Sequence, residues 1–310
     1  MQVHLHEGEN LLVLPTLPQG FFTALVTDPP SGKGYMDQDW EASRGEDFSE
    51  ELRKVFALAL TRLIPGAWAC VWAHPSTSHW TAVAIERAGF KVILKILHIN
   101  PEAKAPSSGL LAPGHEEWIL ARAPGPLRGL NLRMWKDANS GRHPRTVVLA
   151  NAFAKEIDRI LGVRKSGAYS GKRKADKHRN ALGSFKGTAT ENPREGSEGG
   201  ASRYFPKMED LLAVYGPRAR HSHRLLGSSG KQSEHSCPKA PKTMVPLVDL
   251  VMGQGPGHVL DPWMGTGAIG EAAVRLGHQY TGIEKDSRWV AEANLRFAQE
   301  DFFGADAGES

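Results

Sequence analysis

The chain has 310 residues, 40% hydrophobic and 23% charged, which is the composition of a globular protein and excludes a disordered or fibrous one. The formal net charge of +4 permits a nucleic-acid partner without establishing one, and two cysteines are too few for a disulfide framework. The N-terminus lacks the pattern of a signal peptide and no apolar run reaches the ~20 residues of a membrane helix, so we expect a cytoplasmic protein with no membrane partner.

The first half of the chain alternates strand and helix patterns. Short apolar runs predict strands over residues 22–26, 67–73, 90–99 and 117–121. Apolar residues at helical spacing predict helices over 47–63, ended by Pro65-Gly66, and over 77–88, ended by Gly89. Repeats of this kind predict an α/β fold with a mostly parallel, doubly wound sheet.

Regular patterns stop near residue 123 and return near residue 243. Between them, Gly, Ser, Lys and Arg dominate residues 164–200, so we expect an irregular segment there. Its basic part, residues 164–186, is typical of a segment that contacts phosphates, although a solvated linker has the same composition. The candidate DNA-binding residues are Lys172, Arg173, Lys174, Lys177 and Arg179.

The last 70 or so residues return to regular alternation. Helices are predicted over 244–252, 267–276 and 287–299. One strand is predicted at 259–260, leading into Asp261, and another over 280–284.

A glycine-rich turn separates the two strands of this C-terminal part. The first strand ends at Asp261, Gly265-Thr266-Gly267 follows, a helix begins, and the next strand ends at Glu284. Glycines let a ligand approach the backbone, and an acidic residue about 20 positions on is placed to bind ribose hydroxyls. Asp261 would repel a pyrophosphate, so the pattern favours a neutral or positive nucleoside ligand such as S-adenosylmethionine; a tight turn without a ligand is the alternative.

The first predicted strand also ends at a carboxylate. Asp28 is followed by Pro29 and Pro30, which fix the backbone and hold one carboxylate and one carbonyl in place. A rigid turn without chemistry is the alternative. Because parallel strands present their carboxyl ends at one edge of the sheet, we expect Asp28 to lie near the glycine turn.

Together these motifs resemble those of the β group of amino-directed DNA methyltransferases. Asp-Pro-Trp-Met-Gly-Thr-Gly, from Asp261 to Gly267, resembles their D-P-F-x-G-x-G motif, and Asp28-Pro29-Pro30 resembles their D-P-P-Y motif. The segment from His235 to Lys239 resembles their H-P-T-x-K-P segment. Phage-type members carry an extended first motif that residues 28–36, with Trp40, also resemble. The likeness covers residues 1–123 and 235–300.

The resemblance implies a single Rossmann-like methyltransferase domain with permuted motifs. Residues 1–123 would form its catalytic half, 124–234 a target-recognition insert, and 235–310 its cofactor-binding half. The implied cofactor is S-adenosylmethionine and the implied partner is DNA. The residues implied to bind the cofactor are Glu9, Asp261, Trp263, Gly265, Thr266, Gly267, Glu284 and Lys239.

The resemblance also implies a mechanism, because an exocyclic amino nitrogen is a poor nucleophile. Asp28 and the Pro29 carbonyl would accept hydrogen bonds from that amino group, after the base has left the duplex. Ser31 replaces the family's usual tyrosine, so Tyr35, or else Trp40, would stack on the base. The catalytic set is therefore Asp28, Pro29, Pro30 and Tyr35.

Several functions remain open at the level of sequence. Asp28 favours adenine N6, because cytosine-directed members more often carry serine there, with cytosine N4 as the alternative. An RNA or glutamine methyltransferase and a degenerate binding module without catalysis are further alternatives. The His and Cys residues have no recognisable metal spacing, so we expect no metal. The sequence does not distinguish monomer from homodimer or indicate whether a restriction partner exists.

Overall fold

The structure is a computed structural model that describes residues 2–33, 45–99, 115–131, 163–166, 197–200, 233, 239–253 and 255–298. Several predicted site residues lie outside these ranges, namely Tyr35, Trp40, Lys172, Arg173, Lys174, Lys177, Arg179 and His235.

The described strands and helices alternate along most of the chain. The strands are β1 (Val3–Glu7), β2 (Phe22–Thr27), β3 (Leu63–Ala73), β4 (Lys91–Ile99), β5 (His115–Arg122), β6 (Val163–Ser166), β7 (Ser197–Gly200), β8 (His258–Asp261) and β9 (Gln279–Glu284). The helices are α1 (Asn10–Val13), α2 (Gly45–Arg62), α3 (Ser78–Arg87), α4 (Pro241–Met252), α5 (Ala268–Arg275) and α6 (Ser287–Phe297). None of these helices is both long and apolar enough to cross a membrane.

Seven strands form one sheet in the order β1-β9-β8-β2-β3-β5-β4. The first five of these are parallel, and β5 runs antiparallel to both β3 and β4. This confirms the predicted α/β fold with a mostly parallel sheet. The chain winds outward from β2 to β3 in one direction and from β8 to β9 in the other, so the sheet has its switch point between β2 and β8.

The chain divides into two compact units. One contains residues 1–135 and 212–310 and carries the seven-stranded sheet, and the other contains residues 136–211. Within the second unit, β6 and β7 pair antiparallel, with Val163 opposite Gly200. The predicted division at residues 123 and 234 remains a prediction.

Helix α2 packs against the sheet and forms one side of the core. Its buried residues recur at helical spacing, so one apolar stripe faces the sheet, formed by Phe48, Leu52, Val55, Phe56 and Ala59. Phe56 is fully buried and its ring meets the Trp263 ring edge-to-face at 5.5 Å between centroids. The helix therefore supports the segment that follows β8.

Strand β1 and the start of strand β3 differ from the sequence prediction by more than a residue or two. Strand β1 was not predicted because its five residues, VHLHE, are mostly polar and half exposed at the edge of the sheet. Strand β3 begins at Leu63 rather than at residue 67, so Pro65 and Gly66 lie inside it. They fit because the pairing with β2 is irregular there: Phe22 opposes Leu63, whereas Ala24 opposes Trp68.

Candidate functional site

The carboxyl ends of the parallel strands bring both predicted motifs to one edge of the sheet. Asp28 follows β2, and Asp261 ends the adjacent strand β8. Glu284 ends β9, and Glu9 follows β1 by two residues. These four carboxylates therefore flank the switch point, where ligands bind in open α/β sheets.

The glycine turn (Gly265, Thr266 and Gly267) adopts a backbone that requires glycine. Gly265 has φ 53° and Gly267 has φ 80°, both in the left-handed region. A Cβ on Gly267 would also lie 2.9 Å from a ring carbon of Phe297. The turn thus brings its backbone and the start of α5 to the edge of the sheet without side chains in the way.

Glu284 closes against this turn. Its Oε2 accepts a hydrogen bond from the Gly265 N–H at 3.0 Å, and its Oε1 accepts one from the Asp286 N–H at 2.9 Å. Burial raises the pKa of Glu284, although these backbone N–H bonds oppose the shift. A carboxylate has about four lone-pair directions, so beside its backbone N–H partners Gly265, Lys285 and Asp286, Glu284 can still accept a hydrogen bond from a ligand.

Asp261 lies entirely inside the protein. Its Oδ1 accepts a hydrogen bond from the Thr27 hydroxyl at 2.7 Å, and its Oδ2 accepts one from the Tyr280 hydroxyl at 2.9 Å. Burial raises the pKa of Asp261 to about 7, against the hydrogen bonds from Thr27, Tyr280 and the Trp263 N–H. These hydrogen bonds form a network that joins β2, β8 and β9, and the cofactor contact by Asp261 stays a prediction.

A buried ion pair fixes the middle of the glycine turn. Arg296, from α6, is almost fully buried, and its Nε donates to the carbonyl of Thr266 at 2.7 Å. Its guanidinium also pairs with Glu271 of α5. Arg296, itself paired with Glu271, therefore holds the glycine turn through the carbonyl of Thr266.

Glu9 and Trp263 occupy the two flanks of the turn. The Glu9 side chain is 59% exposed, and its Oε1 lies 3.8 Å from Nζ of Lys285, the residue after Glu284. Backbone pairing continues to this point, because the Gly8 N–H donates to the Glu284 carbonyl at 2.9 Å. Trp263 is half-buried on α2.

These residues fit the implied cofactor. S-adenosylmethionine offers ribose hydroxyls and amino groups as donors and carries a positive sulfonium centre, and the turn is flanked by the acceptors Glu284 and Glu9. A pyrophosphate would instead meet these carboxylates at close range. The residues that would hold S-adenosylmethionine are thus Glu284, Glu9, Trp263 and the backbone of the glycine turn.

Lys239 lies at the other motif, against Asp28. Its Nζ is 2.9 Å from Oδ2 of Asp28, and both side chains are mostly buried, 14% and 21% exposed. Lys239 thus forms an ion pair with the predicted catalytic carboxylate. Its role in binding the cofactor, which the resemblance of its segment implies, stays a prediction.

A second carboxylate, Glu116 of β5, also lies near Lys239. Its Oε2 lies 3.9 Å from the Lys239 Nζ and accepts a hydrogen bond from the Trp72 Nε1 at 2.7 Å. Burial alone would raise the pKa of Glu116, but the Lys239 charge, the His98 ring 3.7 Å away and the hydrogen bond from Trp72 outweigh it and hold the pKa well below its usual range. Glu116 is therefore ionised near neutral pH.

The loop after Asp28 contacts the turn that precedes α3. The Thr77 hydroxyl donates to the Ser31 carbonyl at 2.6 Å, and Nζ of Lys33 lies 3.5 Å from Nε2 of His74. Pro29 is buried and Gly32 has φ 67°, so the loop bends sharply beside Asp28. The described part of the motif is anchored before the segment that contains Tyr35 begins.

Sequence reasoning missed the groups that support the two motifs. Thr27, Glu116 and Trp72 are absent from the predicted site, as are Arg296 and Glu271. The signal for Glu116 was its position at the start of a predicted strand, but only the antiparallel direction of β5 brings that start to the functional edge. Among the described residues, no group of three His, Cys, Asp or Glu side chains is arranged to hold a metal ion.

Comparison with known proteins identifies the kind of site. A family model described as DNA methylase matches residues 22–295 and so contains both motifs. The structure of M1.HpyAVI in complex with SAM is similar, with a TM-score of 0.54 at 14% identity, over 96% of this chain and 100% of that chain. PvuII DNA methyltransferase, described as cytosine-N4-specific, has a TM-score of 0.60 at 11% identity, over 97% and 88%. At these identities the two structures show a shared fold.

Proposed function

Because this chain belongs to the DNA methylase family and is an S-adenosylmethionine-dependent DNA methyltransferase, we propose that it methylates the N6 amino group of adenine at a specific DNA sequence. The observation that carries the proposal is the position of Asp28. It stands at the switch point of the sheet, one residue after Thr27, whose hydroxyl bonds Asp261 beneath the glycine turn. Catalytic and cofactor motifs are thereby joined through one buried hydrogen bond.

Asp28 and Pro29 perform the chemistry that the protein contributes. Asp28 accepts a hydrogen bond from the target amino group, and the Pro29 carbonyl accepts the second, so the nitrogen lone pair is less delocalised into the ring. The same carboxylate stabilises the positive charge that develops on that nitrogen. The chemistry that the bound cofactor supplies is an electrophilic methyl group on a sulfonium sulphur.

Rigidity of the acceptors supports this role. Pro29 and Pro30 fix the backbone after Asp28, and the Thr77 hydroxyl holds the Ser31 carbonyl at 2.6 Å. Acceptors that do not reorganise as charge develops contribute most to rate in a water-poor site. The aspartate in first position is the feature that favours adenine, because cytosine-directed members of the family more often carry serine.

The DNA is bound, in this proposal, by the basic residues between the two halves of the domain. Lys172, Arg173, Lys174, Lys177 and Arg179 contact phosphates, which gives affinity that falls steeply with salt. The target base leaves the duplex and stacks on Tyr35 beside Asp28. Both assignments concern residues outside the described part of the chain.

Nucleoside analysis tests the proposal. Unmethylated genomic DNA is incubated with the protein and isotopically labelled S-adenosylmethionine, digested, and analysed by mass spectrometry. Labelled N6-methyl-2′-deoxyadenosine is expected with the wild type and not with Asp28→Ala. Labelled N4-methyl-2′-deoxycytidine would move the specificity to cytosine, and label in added RNA alone would overturn the DNA assignment.

A further inference from the structure

The ion pair at Asp28 places a resident ammonium where the substrate amino group is expected to donate. Nζ of Lys239 is 2.9 Å from Oδ2 of Asp28, the distance of a charge-assisted hydrogen bond. A carboxylate offers about four lone-pair directions, so a target amino group that donates to Asp28 shares this carboxylate with Lys239. In the base-free enzyme, Asp28 therefore already accepts from a group with the same donor chemistry as the substrate.

Two other groups hold the same ammonium. The Trp72 ring centroid is 4.0 Å from Nζ of Lys239, within cation–π range, and Oε2 of Glu116 is 3.9 Å away. Trp72 also donates to Glu116 at 2.7 Å, so ring and carboxylate are fixed to each other. We call Asp28, Trp72 and Glu116 together the Lys239 cage.

We infer that Lys239 is a positioning residue that pairs with Asp28 in the base-free enzyme and is taken over by Glu116 and Trp72 when the target amino group arrives. The inference rests on the proposed role of Asp28. The move required is about 1 Å, the difference between a hydrogen-bonded 2.9 Å contact and the 3.9 Å contact to Glu116. Lysine is suited to it because its flexible stem ends in three rotatable donors.

The charges explain why a second carboxylate is needed. Among the described residues, the cage holds two carboxylates against one ammonium, with Nδ1 of His98 3.7 Å from Oε2 of Glu116, and this excess of carboxylates complements the positive charge that develops on the methylated nitrogen. Without Glu116, Lys239 would remain paired with Asp28 and would neutralise the charge of that carboxylate. Without Lys239, Asp28 and Glu116 would face each other as like charges in a mostly buried site, and one of them would protonate.

A double-mutant cycle tests the inference. The variants are Lys239→Met, Glu116→Gln and the double variant, with Lys54→Met on the exposed face of α2 as a matched control. Single-turnover methyl transfer is measured with unmethylated genomic DNA, and cofactor affinity by calorimetry with S-adenosylmethionine. Each single variant is expected to lose about 100-fold in rate, as for removal of one preorganised charge, with cofactor affinity within twofold of the wild type.

The methyl-transfer rate of the double variant is the decisive measurement. The double variant replaces the ammonium and the second carboxylate by a neutral pair beside Asp28. If the two losses were independent, they would multiply; we expect the double variant to be at least about tenfold faster than that product predicts. Lys239→Arg keeps the charge and is expected to retain most of the activity. Additive losses in the double variant would overturn the inference, as would a Lys239→Met variant with intact rate and tenfold weaker cofactor binding.

Failure of this inference can be told apart from failure of the proposed function. Asp28→Asn is measured beside the other variants and is expected to be inactive. If Asp28→Asn is inactive while Lys239→Met has the wild-type rate, only the role of Lys239 is wrong. If Asp28→Asn transfers methyl groups at the wild-type rate, the proposed role of Asp28 is wrong and the inference about Lys239 falls with it.

Discussion

Replacing Asp261 by asparagine should remove a cost that the folded protein carries at neutral and alkaline pH. The Asp261 side chain is fully buried, and the Thr27 and Tyr280 hydroxyls bond its two oxygens. Asparagine keeps one of these acceptors, and its amide can donate to the oxygen of the other hydroxyl. The network that joins β2, β8 and β9 is therefore retained, while the ionisation is lost.

The size and sign of the effect follow from the pKa of Asp261. Burial raises that pKa from 3.8 to about 7. Each tenfold change in proton affinity corresponds to about 1.4 kcal/mol, so the ionisation of Asp261 costs the folded state at most about 4 kcal/mol. The folded state binds the proton more tightly than the unfolded state. The stability that Asp261 contributes is thus fully present below pH 4 and is lost as pH rises towards 7.

Chemical denaturation between pH 5 and pH 8 measures this effect. The free energy of unfolding of Asp261→Asn, minus that of the wild type, is expected to rise by a few kcal/mol across this range. Asp47→Asn, at an exposed position in the first turn of α2, is the control and should show no such rise. A difference between Asp261→Asn and wild type that is constant with pH would refute the reasoning.

The remaining predictions concern the cofactor, the reacting group and the base. Glu284→Ala should weaken S-adenosylmethionine binding by about 1–3 kcal/mol, because ribose hydroxyls lose their acceptor; unchanged affinity by calorimetry in the folded variant would contradict the assignment. Asp28→Ala should abolish methyl transfer and leave calorimetric cofactor affinity largely intact, so near-normal turnover would refute the mechanism. Tyr35→Ala should lose about 1–3 kcal/mol of base stacking in binding and rate measurements, with Tyr35→Phe nearly silent; a harmless Tyr35→Ala beside a crippling Trp40→Ala would move the stacking role.

The fold and the two motifs could be predicted from sequence because each rests on local pattern. Buried parallel strands are apolar runs such as residues 67–73, and a glycine turn between a strand and a helix has a fixed spacing. The rule that parallel strands present their carboxyl ends at one edge then places Asp28 near Asp261 without coordinates. The order of β2 and β8 in the sheet agrees with that expectation.

The supporting groups could not be predicted because they depend on strand direction and tertiary contact. The sequence around β5 contains no pattern that distinguishes an antiparallel strand from a parallel one. The antiparallel direction of β5 is nevertheless what brings Glu116 to Lys239. Asp261 and Asp28 both follow an apolar run, and the sequence does not reveal that Asp261 is fully buried whereas Asp28 remains partly exposed. Strand β1 could not be predicted because an edge strand of five residues needs no alternation of apolar and polar residues.

Methylome sequencing of a host that expresses this chain tests the central claim most directly. Single-molecule sequencing of genomic DNA reports which base is modified and in which sequence, for the wild type and for Asp28→Ala. The account predicts adenine N6 methylation at one recurring short sequence with the wild type and none at that sequence with Asp28→Ala. Modification confined to cytosine, or adenine methylation that persists with Asp28→Ala, would contradict it.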